Sequence, residues 1–512
     1  MHVGTFTPEG TWEAAQRHLG ELADLGITVV HLLPIADFEG RFGWGYDGAN
    51  LFAPTRLYGE PDDCRRFVDA AHQAGIGVIL DIVYNHYSSV GETLLRPFAE
   101  EYFSRRHKTD WGAAVNFDDG GAAEVRAYFL ANAAYWIREF HMDGYRVDAT
   151  QSIEDDSPRH FLLDLTRAAR SAAPHKQLLI VGENEPQRGR LVRPANAGGY
   201  ELDTLWNDDF HHAAMVRLTG RSEAYYTDYH GTAEEFIACA RWGFLFQGQR
   251  YKWQNKGRGT PVLDLRPQNF VTYLQNHDQL ANSAKGERIH QLASPGRFRA
   301  MTAVHLLSPQ TPMLFQGQEF AASTPFLYFN DCHGEQRQQV RAGRAKFLAQ
   351  FPSLATPEMQ SRLVDPADER TFERSKLKHQ ERELHGAALA LHRDLLRIRR
   401  EDTVLRRHDA NDLHGSALTA DAFFIRYLPS TGETRLLIVN FDRDLQLESI
   451  AHPLIAPPAG TRWATLWSSE DPAYDGSGTP ELDTPDGWRI PGESAVLLTP
   501  QPAAQDHETD SA

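Results

Sequence analysis

Residues 76–86 read IGVILDIVYNH. From Ile76 to Val83 the run is β-branched or apolar, broken only by Gly77 and Asp81. A strand with one wet face would alternate polar and apolar residues. This one does not, so it is a strand buried on both faces, as in a parallel sheet covered by helices. The stretch before it, Pro61–Ala74, opens on Pro, closes before Gly75 and carries a helical pattern. Ala122–Phe140 carries another, with Val125, Phe129, Ala133, Trp136, Ile137 and Phe140 on one stripe.

Further runs of the same kind are Ile27–Ile35, Asp143–Ala149, Leu178–Glu183, Phe270–Leu274 and Thr311–Phe315. Strands alternating with helices imply parallel pairing through right-handed crossovers. The expected architecture is α/β: a (β/α)8 TIM barrel with loop insertions over residues 1–402, ahead of a doubly wound sheet. Residues 84–121, after the third expected strand, are too long for a simple connection and read as an insertion. Residues 200–268 read as a second one, and 350–385 as charged and irregular. Ala387–Arg400 is one last helix. Phe423–Leu428, Arg435–Phe441, Thr461–Trp467 and Ser494–Thr499 then mark a small antiparallel β-domain over 403–500, followed by a disordered tail at 501–512.

Composition narrows the partners. The net charge of -17 repels phosphate backbones and anionic lipid, which argues against nucleic acid and membrane surfaces and suits a neutral sugar. No apolar run is long enough to span a bilayer, and MHVGTFTPEG has no signal-peptide pattern. Cys64, Cys239 and Cys332 are dispersed and odd in number, so neither a disulfide framework nor a thiolate zinc site is expected, and the compartment expected is the cytoplasm.

In a parallel barrel, chemistry collects at the C-terminal ends of strands. Here the runs end in Tyr84, Asn85 and His86; in Arg146 and Asp148; in Glu183 and Asn184; and in Asn276, His277, Asp278 and Gln279. One such acid could merely cap the next helix. Acids and histidines at four successive ends point to a shared site instead. Arg146 and Asp148, two apart on one strand, face the same side, where the cation keeps Asp148 ionised.

DIVYNH (81–86), GYRVDAT (144–150), GEN (182–184) and QNHDQ (275–279) resemble, in order, the four signature regions of the α-amylase superfamily. The resemblance implies a glycoside hydrolase with Asp148 as nucleophile, Glu183 as acid/base and Asp278 as transition-state stabiliser. It implies that His86 and His277 donate to the sugar being cleaved and that Tyr46, in GWGYDG, stacks beneath it, with Asp81 and Asn85 in support. In some relatives an Asn matching Asn85 belongs to a calcium region. No carboxylate-rich loop accompanies it here, so no metal and no other cofactor is expected. A complete set of three acids argues against a non-catalytic sugar-binding relative.

The short regions leave branching enzyme, glucanotransferase and α-amylase open. Longer strings are more specific: HVGTFTPEGTW (2–12), GWGYDGANLFAP (43–54), WNDDFHH (206–212), FVTYLQNHDQLAN (270–282), STPFLYF (323–329) and TFERSKL (371–377) resemble the malto-oligosyltrehalose trehalohydrolases of that superfamily. That resemblance implies a malto-oligosaccharide substrate ending in trehalose, with Asp208, His211 and Gln279 as candidate hydrogen-bonding groups. Two departures stand out. The family often reads RLDAVHAI where this chain has RVDATQSI, so Gln151 replaces a His contact. The family also carries a β-sandwich of about a hundred residues before the barrel. This chain opens inside the expected first strand, which fits either loss of that domain or a start placed too late.

Overall fold

A computed structural model describes residues 1–430 and 432–503. Its centre is a curled, seven-stranded parallel sheet: β1 (Val29–Leu32), β2 (Gly77–Ile82), β3 (Gly144–Val147), β4 (Leu179–Gly182), β5 (Thr204–Trp206), β6 (Phe270–Tyr273) and β7 (Thr311–Met313), adjacent in chain order. The curl is that of a TIM barrel left open between β1 and β7. Eight strands were expected, and seven form among the described residues. The segment expected to supply the first is a helical turn, Val3–Phe6. Six of the seven lie within the expected runs. The seventh, β5, is three residues long inside what reads as an insertion, too short to register as an apolar run.

Helices cover the outer face. α1 (Pro61–Gln73) starts on Pro61, with Glu60 and Asp63 exchanging backbone bonds as a capping box. α2 (Ala122–Phe140) buries the six residues of its expected stripe. α3 (Phe161–Ala172), α4 (Asp208–Thr219), α5 (Pro295–Leu307) and α6 (Gly386–Glu401) follow. Between β2 and α2 the long excursion holds a helix at Ser89–Leu95 and a hairpin, Phe103–Thr109 with Gly112–Val115.

Beyond α6 comes an antiparallel β-rich domain. Its five-stranded sheet runs Leu413–Ala417, Ala422–Tyr427, Arg435–Asn440, Ser494–Pro502, Thr461–Ser468. It is fixed to the barrel: Tyr427 donates to Leu307 O at 2.9 Å, and buried Arg299 of α5 pairs with Glu470 at 2.6 Å. The last strand reaches Pro502, so the tail expected from 501 begins within it; residues 504–512 lie outside the described residues. The three cysteines are buried and unpaired, and no described helix is long and apolar enough to cross a membrane.

β3 depends on a glycine at its entrance. Gly144 has φ +142°, and a Cβ there would sit 1.9 Å from the Leu179 carbonyl oxygen on β4. Neither the conformation nor the space admits a side chain. Gly144→Ala is therefore expected to cost roughly 2–4 kcal/mol, read as a lower urea midpoint. An unchanged midpoint would show that the β3–β4 junction has slack.

Candidate active site

The site is assembled where β2, β3 and β4 end. Asp81, Arg146 and Val181 lie side by side in register, and strand alternation puts Asp148 on the same face as Arg146. The Arg146 guanidinium is buried at 1 % exposure and serves three acids. Its Nη1 lies 2.8 Å from Asp81 and 2.7 Å from Asp148 Oδ1, and its Nη2 lies 2.8 Å from Glu183 Oε2. Trp206 closes over it, with the guanidinium carbon 4.4 Å from the ring centroid. Asn85 Nδ2 donates to the second oxygen of Asp148 at 2.7 Å, and the Ala149 amide donates to Glu183 Oε2 at 2.8 Å.

One cation among three acids cannot hold them all ionised in a dry site. Burial raises both Asp148 and Glu183 above the usual carboxylate range, against the pull of Arg146; the Asp148 charge raises Glu183 further, to about 8. Asp81, paired with Arg146 and with His31 at 3.5 Å, is instead held low despite its burial.

Asp278 stands at the first turn of a short helix, His277–Ala281, capped by Asn276. Its side chain is the most open of the three expected catalytic acids, at 38 %, and lies 3.3 Å from His277 Nε2; burial in the cleft raises its pKa too. Tyr46 donates to Asp81 at 2.7 Å and meets His277 Nε2 at 2.8 Å, its ring stacked on that of His277. These bonds join Tyr46, Asp81, Arg146, Asp148, Glu183, His277 and Asp278 into one constellation.

The other expected residues differ in setting. His86 bonds to Asn85 and stacks on Trp111 with centroids 4.9 Å apart; burial pushes its pKa down to about 4, so it is neutral near pH 7. Asp208, bonded to the Tyr273 hydroxyl and 3.6 Å from Arg258, is pushed up to about 7 by burial. Gln279 Oε1 accepts from Tyr225 and Tyr226, each at 3.1 Å. Gln151 accepts weakly, at 3.4 Å, from the Glu185 amide. His211 is buried, with Nδ1 on the Leu274 carbonyl at 2.8 Å and Nε2 on the Tyr226 hydroxyl at 3.1 Å. Both ring nitrogens are thus spent within the protein, and WNDDFHH opens α4 rather than presenting His211 to a ligand.

Trp111, Arg258 and Glu185 are among the contributors absent from the sequence reading. Trp111 is 53 % exposed at the tip of the hairpin in the excursion. Arg258, buried, reaches Glu185 at 2.5 Å and Asp209 at 3.3 Å. A lone exposed Trp beside a Gly was the only local signal for the first; Arg258 and Glu185, 73 positions apart, gave none.

Among the described residues, two clusters bring together side chains able to hold a metal: His18, Glu21 and His379; and His107, Asp118 and Asp156. An arginine already serves an acid of each, Arg382 at 3.1 Å from Glu21 and Arg106 at 3.3 Å from Asp118. Neither cluster includes a residue of the constellation.

A family model described as "Alpha amylase, catalytic domain" matches residues 4–114. A malto-oligosyltrehalose trehalohydrolase of Deinococcus radiodurans is 41% identical over 448 residues, 87% of this chain and 72% of that protein. The chain belongs to the α-amylase superfamily. A second trehalohydrolase, from Saccharolobus solfataricus, is 38% identical over 78% of this chain and 68% of its own length. A Salmonella typhimurium crystal structure assigned as an α-amylase superposes with a TM-score of 0.84 at 33% identity, covering 98% of this chain and 81% of that one. As a member of the superfamily the protein is a glycoside hydrolase.

The geometry sets a demand on Arg146 that only a fork can meet. A lysine ammonium is a single point and cannot bridge Asp148 and Glu183 while holding Asp81. Arg146→Lys should lower kcat by at least about a hundredfold with the fold retained by circular dichroism. A loss below about tenfold would show that the bridge is dispensable.

Proposed function

We propose that the protein is a retaining hydrolase that cuts the α-1,4 bond next to the terminal trehalose of a malto-oligosyltrehalose, releasing trehalose. The observation that carries the chemistry is the one guanidinium shared by Asp148 and Glu183. Retaining cleavage needs two carboxyls close together, one anionic and one protonated. Arg146 and Asn85 bond the two oxygens of Asp148 and favour its anion. Glu183 Oε2 is occupied by Ala149 and approached by Arg146, which leaves Oε1 to carry the proton.

The reaction then follows. Glu183 protonates the glycosidic oxygen as Asp148 attacks the anomeric carbon; the bond to the leaving sugar breaks and a glycosyl ester forms. Glu183, now anionic, takes a proton from water, whose oxygen attacks the same carbon and frees Asp148. Asp278, on the open side of the cleft, faces the positive charge that develops on the ring. His86 and His277, neutral, act as hydrogen-bonding groups, and Tyr46 supplies the flat surface below the sugar.

The substrate reading is supported by the likeness to the Deinococcus radiodurans trehalohydrolase, which runs far beyond the residues at the strand ends. Asp208, Gln279 and Gln151 are the polar groups proposed to meet the trehalose. Buried polar groups matched to one sugar are left unpaired by another, so discrimination can be large.

Two measurements test this reading. Comparing kcat/KM on maltotriosyl-trehalose and on maltopentaose should favour the former by at least about a hundredfold. Equal values, or α-1,6 branches among the products, would move the assignment to an amylase or a branching enzyme. The pH profile tests the acid. Glu183 must be protonated, so kcat/KM should fall as pH rises through about 8. A fall centred in the ordinary carboxylate range, about 4–5, would remove Glu183 from that role.

A further inference from the structure

Asp148 and Glu183 each follow directly on a strand, β3 and β4; Asp278 does not. It stands on the helix His277–Ala281, five residues long, and its side chain is 38 % exposed. A helix of that length is not stable alone, so its place is set by what it packs against. Leu280 and Ala281 are buried in one cluster with Phe326 and Phe329 of STPFLYF. The last carbonyls of a helix lack partners in a following turn and need donors from elsewhere. Here Leu280 O accepts from the nearby Ser283 hydroxyl at 2.8 Å. Ala281 O accepts from Arg344, 63 positions further along the chain.

Arg344 lies on Gly334–Leu348, a helix that buries only Leu348. Its guanidinium forks over the end of the Asp278 helix: Nη2 donates to Ala281 O, and Nη1 donates to Asn282 Oδ1 at 3.0 Å. The Tyr328 ring of STPFLYF packs against it, with the centroid 5.4 Å from the guanidinium carbon. Tyr328 in turn meets Trp44 edge-on at 5.0 Å, and Trp44 meets His277 at 5.1 Å. Burial pulls the Arg344 pKa down, while Tyr328, Asp278 and Tyr225 hold it up; Asp278 is the carboxyl among them. A guanidinium taken out of water ordinarily sits against a carboxylate. Among the described residues Arg344 forms no ion pair, and it spends donors on the two residues that end the helix.

We propose that Arg344 is a positioning residue for Asp278: it clamps the last turn of the helix and so sets where that carboxylate stands against the anomeric carbon. The proposal rests on the role given to Asp278 above. Arg344 acts on the reaction without touching the sugar. Its effect is confined to Asp278, because the other two acids follow strands fixed by register. A carboxylate that meets charge only as it develops favours the transition state, so misplacing it costs kcat rather than KM. Charge works in the same direction as position. Burial raises the Asp278 pKa, and Arg146 and then Arg344 lower it, which favours the anion.

The test is a double-mutant cycle between Arg344→Gln and Asp278→Asn, read on α-maltotriosyl fluoride. Fluoride leaves without an acceptor sugar, so the result does not depend on the trehalose reading. Arg344→Gln should lower kcat by at least about twentyfold, with KM changed by less than about threefold. In the Asp278→Asn chain the same substitution should lower kcat by less than about twofold, since no carboxylate remains to be placed. A loss below about threefold in the parent chain, or equal losses in both backgrounds, would overturn the proposal. Arg344→Lys keeps the charge and one donor, so it should recover part of kcat; a rate at or below that of Arg344→Gln would overturn the clamp. Should Arg344→Gln fail to fold, Arg344→Lys goes through the same cycle, and equal losses in both backgrounds again overturn the proposal. An Asp278→Asn chain that keeps more than about a tenth of the parent kcat would overturn the role of Asp278 and the proposal with it, a result that no variant of Arg344 can imitate.

Discussion

A single buried guanidinium governs the site. Arg146 is held by Asp81 on β2, Asp148 beyond its own strand and Glu183 beyond β4. Taking a cation and three acids out of water is costly, and their attraction recovers that cost only with close geometry. The geometry comes from register. Asp81 and Arg146 are direct partners in the β2–β3 ladder, and Arg146 faces Val181 in the next. A slip of one residue in β3 would turn Arg146 and Asp148 to the helix side together and leave Asp81 uncompensated. The hydrophobic pattern that fixes β3 therefore fixes the chemistry as well, since Tyr145 and Val147 are buried on the opposite face.

The charge count explains the division of labour among the carboxyls. Asp81 has the strongest hold on the cation and stays ionised deep in the site. Asp148 pairs with the same cation and has Asn85 on its second oxygen. Glu183 pairs with it too, but the negative charge of Asp148 works against its ionisation. Two groups of one chemical type are separated by position alone, Glu183 being raised further than Asp148, as the proposed acid–nucleophile pair requires.

Much of this was legible in the sequence because it rests on short-range rules. Consecutive apolar runs marked six of the strands, a stripe at helical spacing marked α2, and acids at successive strand ends marked the carboxyls that the fold gathers around Arg146. What escaped depends on contacts distant in sequence. β5 is three residues, Thr204–Trp206, and has no pattern of its own; it is a strand because β4 and β6 flank it. Arg258 is a surface-type residue that is buried because Asp209 and Glu185 converge on it. WNDDFHH supplied two of the candidate hydrogen-bonding groups, Asp208 and His211. Asp209 instead accepts from the Leu245 and Phe246 amides, each at 2.8 Å, and His211 fills its own bonds, so most of that polar string is structural. Local sequence does not distinguish an acid that binds a ligand from one that ties down a neighbouring loop.

The open side of the barrel bears on the same guanidinium. Arg146, His31 and His277 line the slot between β1 and β7 as well as the site at the strand ends. His31 in turn braces Asp81. The slot sets how much water reaches the cation from below, and with it the effective dielectric in which the three carboxylates compete. A drier Arg146 would bind Asp81 and Asp148 more firmly and leave Glu183 to the proton. The separation of Asp148 from Glu183 then rests on one constraint: the guanidinium that joins them must be shielded from water on the side away from the cleft.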